Sequence, residues 1–288
     1  LDEESLKPLP RKRFIRGCYL MVARYLNHNV AIQSAALTYY LLFAIFPMLI
    51  FLNSLLGLLH VDMAGLLGDI YHILPDSVVR FAESYLSYVE KTSSMSLLWF
   101  GLFFSIYFPM RAVNVLMRAV RTAYHLGPPR GPYRHMLKTL LYTVLLIVTL
   151  MLMLTLLTVG NLALDYAIGH LGLPARAAEL WGQFRFPLIA VLMYFALYLL
   201  YAMTQDVRQP IRNLFPGALG ALLGWILASL IYSLYVENIA RYSVLYGSIG
   251  TVIALMMWLY LTATVLIMGA ELNATLISMR KEKLHSEK

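Results

Sequence analysis

Thr139-Leu-Leu-Tyr-Thr-Val-Leu-Leu-Ile-Val-Thr-Leu-Met-Leu-Met-Leu-Thr-Leu-Leu-Thr-Val-Gly-Asn-Leu-Ala-Leu164 contains no charged residue and no proline. A helix crossing the hydrocarbon core of a bilayer needs about 20 mostly apolar residues, and this run exceeds that. It is apolar all round rather than on alternate positions, which excludes a barrel strand. Backbone polar groups in lipid must be paired within the segment, so the run is predicted to be a helix. Five further charge-free runs flank it: Tyr25–Val61, Thr92–Met110, Phe186–Gln205, Asn213–Val236 and Tyr242–Ala270. Of the 288 residues, 60% are hydrophobic and 13% charged, against about 25% charged in a typical soluble domain. That leaves too little polar surface to cover a water-soluble globule.

The chain is therefore predicted to be an all-α polytopic membrane protein. Six transmembrane helices are expected at 31–60, 94–124, 138–165, 184–205, 212–236 and 243–279. A cytoplasmic amphipathic segment, 1–30, precedes them, its basic residues resting on the inner leaflet. A tail, 281–288, follows. The first long apolar run exceeds a signal-peptide core and is read as a retained span. Pro47 and Pro109 fall inside the first two spans, where a missing donor and a clash with the preceding turn predict kinks.

Lysine and arginine set the orientation. With the N-terminus inside, 18 of the 23 basic residues fall on inner segments and five on outer ones. Both termini are thus expected in the cytoplasm of a bacterial inner-membrane protein. The net charge of +8 reads as a topology signal that needs no nucleic-acid partner, and the inner face would attract anionic membrane lipids. The outer segment at 62–92 is expected to be helical. Asp62, Asp69, Asp76, Glu83 and Glu90 recur every seven residues, which in a helix makes one acidic stripe. A solvated face is the favoured reading, and an outer gate the sharper one.

Cys18 is the single cysteine, and the seven histidines (His28, His60, His72, His125, His135, His170, His285) show no paired-ligand spacing. No catalytic residue, metal site or cofactor is assigned. Polar groups inside a bilayer call for a reason, and the densest set is Arg111, Asn114, Arg118, Arg121 and His125. At about 100° per residue these fall within an arc of about 80°, with Val113, Met117 and Val120 on the other side. Arg111, Asn114 and Arg118 are candidate ligands for phosphate or carboxylate, since arginine presents a planar donor fork. The alternative is that the arginines snorkel and anchor the helix end. Gln33 and Tyr39 on the first span, and Glu271 and Asn273 near the inner end of the sixth, complete the candidate binding set. Glu271 is suited to pair with a cytoplasmic-side arginine. Gly247 and Gly250 join Pro47 and Pro109 as candidate hinges. Gly217, Gly220 and Gly224 are assigned to helix packing, because small residues at this spacing let helices approach closely.

Ala35-Ala-Leu-Thr-Tyr-Tyr-Leu-Leu-Phe-Ala-Ile-Phe-Pro47 resembles the opening signature of the YihY/BrkB family, long labelled ribonuclease BN. Pro216-Gly-Ala-Leu219, Tyr246-Gly-Ser-Ile-Gly-Thr-Val-Ile-Ala-Leu255, Met257-Trp-Leu-Tyr260 and Gly269-Ala-Glu-Leu-Asn273 resemble its later ones. The resemblance covers roughly residues 15–280. It implies a six-helix inner-membrane protein and, from some members, movement of envelope lipid or lipopolysaccharide. Three functions are weighed. The first is a transporter or flippase for an anionic amphiphile, such as a phospholipid or glycolipid precursor. The second is a non-catalytic scaffold with envelope-assembly partners, for which the glycine motif leaves a homo-oligomer open. The third, disfavoured, is a membrane-embedded hydrolase or ribonuclease.

Overall fold

A charge-free apolar run leaves the backbone no partner but itself, and the computed structural model carries the described part of each such run as helix, apart from the turn at His28–Asn29 and end residues such as Gln205. It describes residues 13–58, 94–129, 131–171, 176–205, 211–238 and 248–286. Among these stand seven helices and no strand: α1 (Arg13–Asn27), α2 (Val30–Leu58), α3 (Met95–Ala123), α4 (Pro132–Leu171), α5 (Arg176–Thr204), α6 (Ile211–Asn238) and α7 (Ser248–Ser286). The helices α2 to α7 are each long and apolar enough to cross a membrane. The amphipathic helix α1 precedes them, its Ile15, Tyr19, Val22 and Leu26 forming one exposed apolar stripe. The acidic segment at 62–92, and Gly247, lie outside the described residues.

Several helices outrun their hydropathic spans. The charge-free runs Thr139–Leu164 and Tyr242–Ala270 stop at Asp165 and Glu271, yet α4 continues to Leu171 and α7 to Ser286. Apolar side chains report where lipid begins, whereas the hydrogen-bond ladder continues until a residue interrupts it.

The chain packs as two units. The larger comprises residues 1–38 and 113–288. Its most extensive contact is α6 against α7, with α4 on α5, α5 on α6, and α1 on α7. Glycines make the α6–α7 approach possible. A Cβ at Gly217 would strike the Gly269 carbonyl and the Asn273 amide, and one at Gly269 would come 2.6 Å from Ala221 Cβ. Pro216 takes a donor out of the α6 ladder at this turn, and the Asn273 side chain lies against it. Gly217 N–H donates to Asn273 Oδ1 (2.6 Å), and Asn273 Nδ2 donates to the Leu214 carbonyl (3.0 Å). Tyr201 of α5 ties in by donating to the Leu266 carbonyl (2.7 Å), and Tyr142 of α4 to Ala196 of α5 (3.0 Å). The interior mixes Leu, Ala and Val with Ser34, Thr139, Thr143 and Asn273, while Leu223, Leu227, Leu230, Ile231 and Leu234 of α6 form an exposed stripe. A water-soluble bundle would place these the other way round.

The smaller unit, residues 39–112, pairs the later part of α2 with the earlier part of α3. A Cβ at Gly101 would come 2.6 Å from the Phe51 backbone nitrogen, so the two backbones nearly touch. An aromatic run along α3 (Phe100, Phe104, Phe108) reaches Phe43 of α2, with successive ring centroids 4.7, 5.7 and 5.8 Å apart. Pro47 and Pro109 lie inside α2 and α3 without ending them.

Candidate functional site

Within the larger unit, three helix ends meet around one carboxylate. His28 directly follows α1, four residues after Arg24, and its N–H still donates to the Arg24 carbonyl (2.9 Å), so the two share a face. Asn29 then takes φ +52°, a left-handed turn that asparagine tolerates, and α2 begins. Gln33 Nε2 donates to the His28 carbonyl (2.6 Å), closing the end of α1. At the end of α3, Leu126 N–H donates to Arg121 O (2.9 Å) and His125 N–H to Thr122 O (3.0 Å). This is a Schellman cap with His125, at φ +51°, in the position that usually carries glycine.

Glu271 of α7 projects into this junction with none of its surface exposed. Its Oε1 lies 2.6 Å from His28 Nδ1, and its Oε2 accepts from Arg24 Nη1 at 3.4 Å. The same Nη1 donates to the Ala123 carbonyl (3.1 Å), the last residue of α3. The His125 ring meets the His28 ring edge-on, centroids 5.4 Å apart. Tyr124 lies beside Glu271 and Asn273, its phenol pushed above the ordinary range by burial. A buried carboxylate between a guanidinium and an imidazole is the one place among the described residues where an acid–base pair is sequestered from solvent.

Arg121 sits near this cluster and is buried rather than snorkelling. Its Nε and Nη2 donate to the Gly127 carbonyl and its Nη1 to the Thr204 carbonyl (3.1 Å). Thr204 ends α5 and Gly127 belongs to the turn before α4, so both carbonyls lack helical partners, and one forked donor satisfies them. Arg121→Lys keeps the charge and loses the fork. It is expected to lower stability by about 1.5–3 kcal/mol, read as a drop in the thermal midpoint of detergent-solubilised protein. An unchanged midpoint would show that water serves those carbonyls.

The residues expected from sequence to bind substrate do not all converge. In the smaller unit, Arg111 donates to the Tyr40 hydroxyl (3.4 Å) and lies 5.5 Å from that ring's centroid. Exposed Tyr39 packs on Tyr40 and Phe43. In the larger unit, Asn114 meets His135 Nε2 (3.1 Å), and Arg118 is exposed on a helix whose Val113, Met117 and Val120 are buried. Gln33 reaches the Glu271 cluster through the His28 carbonyl, and Asn273 is committed to α6. Gly217, Gly220 and Gly224 all face α7, and Gly250 is buried near its start. Sequence reasoning assigned no site role to Arg24, His28 or Tyr124. The available signal was the four-residue spacing of Arg24 and His28, directly before a span that opens with Val30.

Six helices long and apolar enough to cross a membrane, with a buried ion pair in the larger unit, define a polytopic helical membrane protein. The family model described as virulence factor BrkB matches residues 21–288, and the chain belongs to that family. It is 32% identical over 266 residues to the ribonuclease-like protein YfkH of Bacillus subtilis, covering 91% of this chain and 95% of that protein. It is 27% identical over 274 residues to a UPF0761 membrane protein of Pseudomonas paraeruginosa, where it spans 63% of the relative's length. A UPF0761 membrane protein of Enterobacter matches over 102 residues at 36% identity. No solved structure matches.

Proposed function

We propose that the protein moves an anionic amphiphile, a phospholipid or glycolipid precursor, across the bacterial inner membrane, with both termini in the cytoplasm. The observation that carries this reading is the open face of α3. Arg118 is exposed, Arg111 and Asn114 are half-buried, and the opposite face is sealed in the protein. Among the described residues neither Arg111 nor Arg118 meets a carboxylate. Cations kept on an apolar helix without a counter-charge are costly, and a lipid phosphate is the anion a membrane supplies. Arg111 would hold it through its donor fork, Asn114 through its amide, and Arg118 at the aqueous edge. The ribonuclease-like name of the Bacillus relative is not carried over. Among the described residues no group of three His, Cys, Asp or Glu side chains is placed to hold a metal ion that would activate water.

Proteoliposomes holding a fluorescent anionic phospholipid test the reading. Wild type is expected to move label between leaflets, and Arg111→Ala and Arg118→Ala to slow it about tenfold each, the loss of one charge-assisted contact. Unchanged flux in both variants removes the proposed site. No flux in wild type, with envelope proteins recovered by proximity crosslinking in cells, would favour the scaffold instead.

A further inference from the structure

We propose that His28 and Glu271, with Arg24, form a proton-binding site whose occupancy sets how tightly α1 docks on α7. This goes beyond the transport reading and does not depend on any substrate. The groups facing the pair come from three directions. From α1 and the turn that follows it come Arg24 and His28 itself; from α7, Glu271 and Asn273; from the end of α3, the Ala123 carbonyl, Tyr124 and His125. Arg121 nearby is occupied by the Gly127 and Thr204 carbonyls, and Tyr124, held protonated by burial, adds no charge.

With His28 neutral, its Nδ1–H donates to the carboxylate, and Arg24 and Glu271 cancel. With His28 protonated, the junction holds two cations on one carboxylate. Arg24 rests against the carbonyl end of α3 in both states, where the helix dipole favours positive charge, and His28 gains an ion pair with Glu271. Proton uptake thus draws α1 onto α7, and release leaves an uncharged imidazole donating to the carboxylate in place of the ion pair. Histidine is the side chain that makes this exchange between about pH 5 and 8. The proton's way in is through His28, whose side chain is 14% exposed against 1% for Glu271.

The α1–α7 seam also carries an open groove beside the cluster. Gly17, Cys18, Met21, Leu272, Thr275 and Met279 line an apolar groove of about 650 Å³. The cluster and this groove occupy successive stretches of the same two helices.

Cys18 is the chain's single cysteine and is exposed, so a nitroxide can be attached to the otherwise native full chain in lipid nanodiscs. Raising the pH from about 5.5 to about 8 is expected to increase the mobile-to-immobile label ratio roughly tenfold. His28→Gln should abolish that response, and His28→Lys, permanently cationic, should hold the label immobile at both pH values. His125→Gln should keep it, since His125 meets the His28 ring edge-on, whereas the Glu271 oxygens are held by His28 and Arg24. The thermal midpoint of unlabelled protein should fall over the same pH range in wild type and stay level in His28→Lys. A wild type insensitive to pH, a response that survives in His28→Gln, or one of opposite sign would overturn the proposal. Opposite sign would mean that the proton sits on Glu271 and frees Arg24.

Discussion

Glu271→Ala is expected to cost the folded protein about 3–5 kcal/mol, the penalty for removing one partner of a buried ion pair. The carboxylate is fully enclosed and the Arg24 side chain is 7% exposed. Without Glu271, the guanidinium would lose the carboxylate that faces it, and His28 Nδ1 would lose its acceptor. The 3.4 Å separation from Arg24 is long for a strong hydrogen bond. The expected loss follows from taking the carboxylate away from a buried guanidinium rather than from that bond's strength. Set against a typical total stability of about 5–15 kcal/mol, the variant should leave detergent extracts as a broad, aggregating species with a much lower thermal midpoint. The double replacement Arg24→Met with Glu271→Leu removes both charges and keeps apolar volume, so it should recover most of the loss. A single-variant cost under about 1 kcal/mol would mean that water reaches the pair, as at an exposed ion pair.

The same residues show what the sequence carried and what it hid. Six spans follow from six charge-free runs because hydrocarbon thickness is a length that composition reveals directly. Helix ends do not follow, since α4 runs on past Asp165 and α7 past Glu271, where the charge-free runs stop. Arg24 illustrates the harder case. Topology counting uses it as one more inner-side cation, and the exposed stripe of Ile15, Tyr19, Val22 and Leu26 agrees with a helix lying on the leaflet. Yet Arg24 is turned inward to an acid 247 residues away. Periodicity reports which residues share a face, here Arg24 and His28, and says nothing of what that face meets. Arg121 fails for a related reason. Helical geometry puts it on the arc of Arg111 and Arg118, but the unpaired carbonyls that hold it belong to α5 and to the turn before α4.

Gly217→Ala should be the most damaging single-methyl change on α6, costing about 2–5 kcal/mol from overpacking together with the loss of hydrogen bonds. The new Cβ would fall on the Gly269 carbonyl and on the Asn273 amide. One is backbone. The other is fixed at both ends by Gly217 N–H and the Leu214 carbonyl. Neither can turn aside, so α6 must retreat from α7 and Asn273 loses the turn beside Pro216. Gly269→Ala faces the same problem from the other helix, with the Tyr201 hydroxyl, Ala221 Cβ and the Gly217 carbonyl within 2.5–2.8 Å. Gly220 and Gly224 differ in what they meet. A Cβ at Gly220 approaches Leu272 Cδ2 at 2.6 Å, the tip of a side chain that can rotate, and one at Gly224 approaches Val265 Cγ1 at 3.1 Å. There the better helix propensity of alanine, up to about 1 kcal/mol, offsets much of the crowding. Thermal midpoints of the four alanine variants should therefore rank Gly217 and Gly269 far below Gly220, with Gly224 near wild type. Four equal midpoints would show that the spacing of small residues, and not the backbone approach at Gly217 and Gly269, holds α6 to α7.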